Sequence, residues 1–212
     1  GFIEAALDVL GRRSAPPAPV VVDLGSGSGE TLAAIAARLT IVGIGIDLST
    51  AAADHAARHS PALTWLVANA DRRLPLLDAS VDLVLSQQAR RNPLECARIL
   101  APGGYLLVSL PAPDDLIELR EAVQGEALER SRLDAVIAEH ADHFTLVSRH
   151  NWTMRQPLTR DALLDLLSGT YRGARHSERQ RLDSLDQLTV TLSADAVLLR
   201  RQPSSFDTRR SS

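Results

Sequence analysis

Val20-Val21-Val22-Asp23-Leu24-Gly25-Ser26-Gly27-Ser28-Gly29-Glu30 is the stretch whose reading decides the fold. Val20 to Leu24 is a near-continuous apolar run, as a parallel strand buried on both faces requires. The glycines at 25, 27 and 29 then allow backbone angles closed to other residues and a close approach of the chain to a ligand. From about Glu30 to Leu39 the pattern reads as a helix. Strand, glycine turn and helix together place free N–H groups at the carboxyl edge of a sheet, where ligands bind in open α/β folds. Asp23 stands at that edge.

The same alternation continues outward. A helix over Phe2 to Leu10 and a polar-proline linker through Pro19 precede the stretch. Ile41 to Ile46 predicts a second buried strand closed by Asp47, and Ser49 or Thr50 can cap a helix through about Arg58. Strands follow at Leu63–Val67, Val81–Ser86 and Tyr105–Leu110. A helix from Asn92 to Leu100, stopped by Pro102-Gly103-Gly104, separates the last two. Alternating strand and helix imply a doubly wound, mostly parallel α/β sheet with right-handed crossovers. The full expectation is a Rossmann-like seven-stranded sheet with helices on both faces and an antiparallel last strand.

The second half reads differently. Asp114 to His140 is taken as helical, and Pro111 to Phe144 carries nine Asp and Glu against three Arg. Thr145 to Arg155 alternates like a strand, Thr159 to Leu167 is a short helix, and Leu188 to Leu199 reads as a long strand or a hairpin pair. No repeat appears, so residues 1–202 are expected to form one domain. Residues 1–19 would be its N-terminal helix and linker, 168–181 a candidate substrate lid, and 203–212 a flexible tail.

Composition narrows the function classes. A net charge of −3 over 212 residues gives no global attraction to nucleic acid, although it leaves room for a local basic mouth. All 23 basic residues are arginine. Codon usage in a GC-rich genome is the plain cause, yet guanidinium groups also suit bidentate contacts to phosphate and guanine edges. A single cysteine, Cys96, excludes an internal disulfide framework and a thiolate zinc site within these residues. No apolar run approaches the roughly 20 residues of a membrane span, and no signal peptide opens the chain, so a cytoplasmic protein is expected. The first residue is Gly1 and the only methionine is Met154, which leaves room for a missing N-terminal segment.

Asp47 sharpens the reading of the glycine turn. It closes the second strand about twenty positions after the first glycine, where a carboxylate meets ribose hydroxyls in nucleoside-binding sites. A dinucleotide fingerprint would need a small residue at position 30, where Glu30 stands, and no Gly-Lys-Ser/Thr phosphate loop occurs. A carboxylate before the glycines would repel a pyrophosphate and suit the amino group of a methionine moiety. These residues therefore point to S-adenosylmethionine.

Val21 to Gly29, Gly45-Ile46-Asp47-Leu48-Ser49, Leu74-Pro75-Leu76, Ser80 to Val84 and Ala97 to Gly104 resemble, in order and spacing, the signature segments of class I methyltransferases. Together they cover about half the chain. A narrower likeness, over most of the chain, is to bacterial 23S ribosomal RNA guanine-N1 methyltransferases. It rests on Pro111 to Leu119, Met154, Leu158 to Leu167 and Tyr171-Arg172-Gly173-Ala174-Arg175. Those enzymes carry a four-cysteine zinc module ahead of the methyltransferase domain, and this chain lacks its ligands. The module was lost or trimmed, or the substrate differs.

The resemblance implies that Asp23, Gly25, Ser26, Gly27 and Gly29 line the methionine side of the cofactor. Asp47 and Leu48 would meet the ribose side, and Asn69, Ala70 and Asp71 the adenine. Ser86 and Gln87 would approach the transferring methyl group. Candidate catalytic residues are Ser86, Gln87 and Asn92. Gln87, Arg90, Arg91, Arg172 and Arg175 are candidate substrate contacts, on RNA or on a small-molecule acceptor. Gln88 belongs to the same polar run, and Arg179, Arg181 and His176 to the same basic stretch.

Bland readings compete with several of these. Asn92 before Pro93 suits a helix cap, and the arginine-rich stretch suits a solvated face. His140 and His143 fit an ordinary helix end, so no metal site is expected. Trp65 and Trp152 read as core, and Cys96 as buried and inert. Three functions follow: methylation of a ribosomal RNA guanine at N1, methylation of a small metabolite, and cofactor binding without transfer.

Overall fold

The computed structural model describes residues 1–12, 17–124, 131–170 and 186–203. In chain order its elements are α1 (Phe2–Gly11), β1 (Val20–Leu24), α2 (Glu30–Ala36), β2 (Val42–Asp47), α3 (Thr50–His59), β3 (Thr64–Val67) and β4 (Val81–Gln87). They continue with α4 (Pro93–Ile99), β5 (Leu100–Pro111), α5 (Ile117–Gln124), α6 (Leu133–His140), β6 (Phe144–Thr159), α7 (Arg160–Thr170) and β7 (Gln187–Arg201). The seven strands form one sheet in the order β3-β2-β1-β4-β5-β7-β6.

This is the expected doubly wound arrangement. β1 pairs in parallel with β2 on one side and β4 on the other, so the chain reverses its direction of winding there. That reversal opens a crevice at the carboxyl ends of β1, β2 and β4. β2–β3 and β4–β5 are also parallel. The Ala112 N–H donates to Ser193 O and the Leu116 N–H to Thr191 O, so β7 runs antiparallel to the chain leaving β5.

The described residues group into two compact units. The first takes Gly1–Leu110, Leu133–His150 and Ala196–Ser212. Its core is aliphatic, built on Val22, Leu24, Ile46, Val84, Leu106 and Val108 of the sheet with Cys96, Ala97 and Ile99 of α4. In α1 the buried residues are Phe2, Ala5, Ala6, Val9 and Leu10, the spacing of one helical face. Helices α3 and α4 start on side-chain caps: Ser49 accepts from the Ala52 N–H, and Asn92 from the Leu94 and Glu95 N–H groups.

The second unit takes Pro111–Arg132 and Asn151–Asp195. Leu116, Leu119, Leu163 and Val190 form its buried core. The Glu118 carboxylate accepts from the Thr191 N–H and hydroxyl, both at 2.7 Å, and Asp115 accepts from the Ser193 N–H at 2.8 Å.

One expectation changes in this region and one open choice closes. The helical span from Asp114 to His140 is not one helix among the described residues: α5 begins at Ile117 and α6 at Leu133. Asp114 and Asp115 lie in a turn in which the Ile117 N–H bonds Asp114 O and Leu116 has φ +54°, and Asp115 is committed to β7. Leu188 to Leu199 belongs to a single strand, not a hairpin. The candidate lid residues 171–181 and the tail from 204 lie outside the described residues.

One buried ionic network holds the loop between β3 and β4. The Arg98 guanidinium, 4% exposed, donates to both Glu95 oxygens at 2.8 Å and to the Leu74 and Leu76 carbonyls. Glu95 in turn accepts from the Leu74 N–H. Removing one partner leaves an uncompensated buried charge. Arg98→Met is therefore expected to cost about 3 kcal/mol in urea denaturation, most of it the penalty on the stranded Glu95.

Candidate active site

The crevice is built by hydrogen bonds between the ends of β1 and β2. The Gly25 and Ser26 N–H groups both donate to Ile46 O, at 2.8 and 3.1 Å. One Asp47 carboxylate oxygen accepts from the Gly27 N–H and the other from the Ser49 N–H, each at 2.8 Å. Asp47 thus ties the glycine turn to the start of α3. Its oxygens keep lone pairs for a further donor.

The turn is packed from beneath. Gly25 has φ +70°, and a Cβ there would sit 2.4 Å from the Ala89 Cβ, so the loop after β4 presses directly on the bend. Gly29 has φ +84°, and a Cβ there would sit 2.3 Å from the Trp65 ring. Trp65 supports the turn and donates its indole N–H to Ser60 O, a packing role.

Asp23 is 3% exposed. Among the described residues no donor bonds its carboxylate, and burial, reinforced by the negative charge of Asp47, pushes its pKa up to about 7. It lines a cavity of about 280 Å³ together with Gly25, Ser26, Gly27, Ser28, Glu30, Thr31, Gln87 and Gln88. A buried carboxylate without a partner among the described residues, with Glu30 on the same wall, suits a cationic ligand. A pyrophosphate would be repelled. These acceptors therefore fit the ammonium and sulfonium groups of S-adenosylmethionine.

The structure brings Asp23, Gly25, Ser26, Gly27 and Gln87 onto one cavity and ties Asp47 to it. Ser28, Glu30 and Thr31 line it too and were not among the candidate site residues, and so does Gln88 of the polar run after β4. The first three follow the glycines directly in sequence, a signal that could have found them. Gly29 is the N-cap of α2. Leu48 is exposed next to Asp47. Asn69 accepts from the Asp71 N–H at 2.9 Å, Ala70 is half-buried, and the Asp71 carboxylate pairs with the exposed Arg90 at 3.3 Å.

The loop after β4 is tightly tied. Ser86 is fully buried, and its hydroxyl donates to Ala89 O. Gln87 Oε1 accepts from the Thr31 hydroxyl at 3.2 Å. Gln88 adopts φ +54°, a conformation that costs a non-glycine residue about 1 kcal/mol. Arg91 donates to Ala89 O and, through Nε, to His140 Nε2 at 3.3 Å. His140 Nδ1 lies 2.7 Å from Val136 O, which fixes a neutral ring with its proton on Nδ1. Burial lowers the pKa of both Arg91 and His140. Asn92 spends its side-chain oxygen on the α4 cap and its amide on Asp71 O. Cys96 is fully buried, and burial pushes its thiol up to about 12. Arg172 and Arg175, with His176, Arg179 and Arg181, lie outside the described residues. No described helix is long and apolar enough to cross a membrane.

Comparison with known proteins agrees with this geometry. A family model described as a methyltransferase domain matches residues 22–108. A protein of Micromonospora griseorubida classed among the 23S rRNA (guanine-N(1)-)-methyltransferases is 34% identical over 201 residues, which cover 92% of this chain and 67% of that one. The 23S rRNA (guanine(748)-N(1))-methyltransferase of Streptomyces fradiae is 38% identical over 145 residues, 68% of this chain and 51% of that one. The chain thus spans between half and two thirds of the length of these relatives. Among solved structures, the YcgJ protein of Bacillus subtilis has a similar fold, with a TM-score of 0.66 at 17% identity over 96% of this chain and 99% of that one. So does geranyl diphosphate C-methyltransferase of Streptomyces coelicolor A3(2), solved with S-adenosyl-L-homocysteine, with a TM-score of 0.59 at 17% identity over 94% of this chain and 79% of that one. With a carboxylate-lined crevice at the β1 turn and likeness of this extent, the chain belongs to the class I S-adenosylmethionine-dependent methyltransferases.

Proposed function

We propose that the protein methylates a guanine base at N1 in ribosomal RNA. The observation that carries this reading is the extent of the likeness. The general methyltransferase model stops at residue 108, whereas similarity to the M. griseorubida protein runs over 92% of the chain. It thus includes the region after β5, which the general methyltransferase model does not reach.

When bound, S-adenosylmethionine would supply a methyl group already activated by its sulfonium; transfer would form the N–C bond as the C–S bond breaks, leave S-adenosylhomocysteine, and release the guanine N1 proton to water. The protein supplies orientation and a dry, complementary site. Asp23 offers its buried carboxylate to the cofactor's cationic end, while Gly25, Ser26, Gly27 and Gly29 provide a backbone wall without side chains in the way. Asp47 holds the turn in shape and keeps lone pairs for the ribose hydroxyls, with Leu48 as an apolar face beside it. Asn69, Ala70 and Asp71 stand where adenine would lie. Gln87, Arg90 and Arg91 edge the acceptor side. Ser86 and Asn92 act through the loop they brace.

The deciding experiment incubates the protein with methyl-labelled S-adenosylmethionine and separates RNA, protein and metabolites. Label in 23S rRNA, mapped to N1 of a guanine, supports the reading. Label only among small metabolites supports a small-molecule acceptor, and tight cofactor binding without any transfer supports an inactive relative.

Two predictions test the cofactor assignments. Asp47→Ala is expected to weaken S-adenosylhomocysteine binding about tenfold or more by calorimetry, the size of a lost charge-assisted hydrogen bond. Its melting temperature should fall as well, because the same carboxylate holds the Gly27 and Ser49 N–H groups. The second concerns Asp23. Its raised pKa means that it is protonated below about pH 7 in the free protein, and a cationic ligand selects the ionised form. Affinity should therefore rise about tenfold from pH 6 to pH 8, with proton uptake by Asp23 opposing binding on the acid side. Asp23→Asn should bind weakly at both values and lose this dependence. It should also stabilise the free protein near neutral pH, since a carboxylate whose pKa is raised on folding destabilises the folded state as pH climbs above its unfolded value.

A further inference from the structure

The polar side chains from the end of β4 to the start of α4 are Ser86, Gln87, Gln88, Arg90, Arg91 and Asn92, and all but one have a partner inside the protein. Ser86 bonds Ala89 O, Gln87 bonds Thr31, Arg90 pairs with Asp71, Arg91 bonds His140 and Asn92 caps α4. Among the described residues, the Gln88 amide has none. It lines the same cavity as Asp23 and Gly25.

The backbone that carries Gln88 is fixed on every side. Its N–H donates to Ser109 O of β5 at 2.9 Å. The next carbonyl, Ala89 O, receives the Ser86 hydroxyl at 3.3 Å and the Arg91 guanidinium at 3.1 Å. The Ala89 methyl group is wedged against Gly25, where no side chain could be added. In this clamp Gln88 is forced to φ +54°. Left-handed backbone in a bulky residue persists only where the surroundings impose it, and such positions cluster at ligand sites. The result is a fixed backbone at the cavity that carries one exposed amide with no partner among the described residues.

The chemistry of this position limits what it can read. Asp23 and Glu30 on the cavity wall disfavour an anionic group. Gln88 itself is neutral and planar, with two N–H donors on Nε2 and an acceptor on Oε1. Its natural counterpart is another uncharged planar group with a carbonyl oxygen beside a ring nitrogen. We propose that Gln88 is an acceptor-binding residue that donates from Nε2 to the carbonyl oxygen of the base's lactam edge, O6 in guanine, and so turns N1 toward the methyl group. This rests on the base-methylation reading above.

The test uses the full chain, an unmodified 23S rRNA transcript and methyl-labelled S-adenosylmethionine, with Gln88→Ala, Gln88→Glu and Gln88→Gly. Loss of the donor in Ala or Glu is expected to lower kcat/KM for the transcript about tenfold or more, as for other sites built to bond one polar group of the substrate. S-adenosylhomocysteine affinity should fall far less than kcat/KM, because Gln88 shares the cavity with Asp23 but carries none of the charge that holds the cofactor's cationic end. Gln88→Gly relieves the left-handed residue, so it should melt no lower than the wild type and yet lose transfer as Ala does. Labelled RNA with Gln88→Ala within about threefold of wild type overturns the Gln88 assignment alone, as does an equal fall in cofactor affinity. A wild-type protein that leaves the transcript unlabelled overturns the base reading and this assignment together.

Discussion

The Asp47 carboxylate joins two turns that would otherwise be independent. One oxygen holds the Gly27 N–H and the other the Ser49 N–H, so the glycine bend after β1 and the entry to α3 are set by one side chain at the tip of β2. Two further N–H groups from the bend reach Ile46 O. With these bonds the turn lies across the sheet edge as an open cradle, and the N–H groups of a sharp, glycine-rich bend are satisfied without a neighbouring side chain filling the space above.

That geometry concentrates negative charge. Asp23 is buried behind the bend, and Asp47 and Glu30 are close to the same cavity. A cluster of this kind destabilises the free protein, because desolvation and like charge both act against the ionised Asp23. A cation relieves both effects at once. The stability surrendered at Asp23 is regained elsewhere, in the aliphatic core of sheet and α4 and in the buried Arg98–Glu95 network that anchors the loop over residues 74–78. Local cost at the site and surplus in the core are two sides of one design.

Much of the fold was legible before any coordinates. β1 was read to the residue, and a cap at Ser49 or Thr50, the cap at Asn92 and the succession of the first five strands along the chain follow from apolar runs, glycine punctuation and capping residues. Each of those signals is local. The region after β5 was read less well: periodicity carried a helix through Asp114 and Asp115, whereas both sit in a turn whose second carboxylate bonds a strand 78 positions away. No local rule contains that partner, and a polar residue in an acidic, helix-prone stretch looks the same whether it faces water or a distant N–H.

The site divides along the same line. From the sequence alone came the glycine bend, the acidic residues at the tips of β1 and β2 and the preference for a cationic nucleoside, because these depend on residue type and on spacing within one strand–turn–helix unit. Only the tertiary structure decided that Asp47 bonds Gly27 across 20 positions and Arg91 bonds His140 across 49. It alone showed that Asp23 has no described donor and that Gln88 is forced left-handed while its neighbours are already engaged. Burial, strain and hydrogen-bond occupancy are properties of surroundings assembled from several strands and helices, and they do not exist until those elements are packed together.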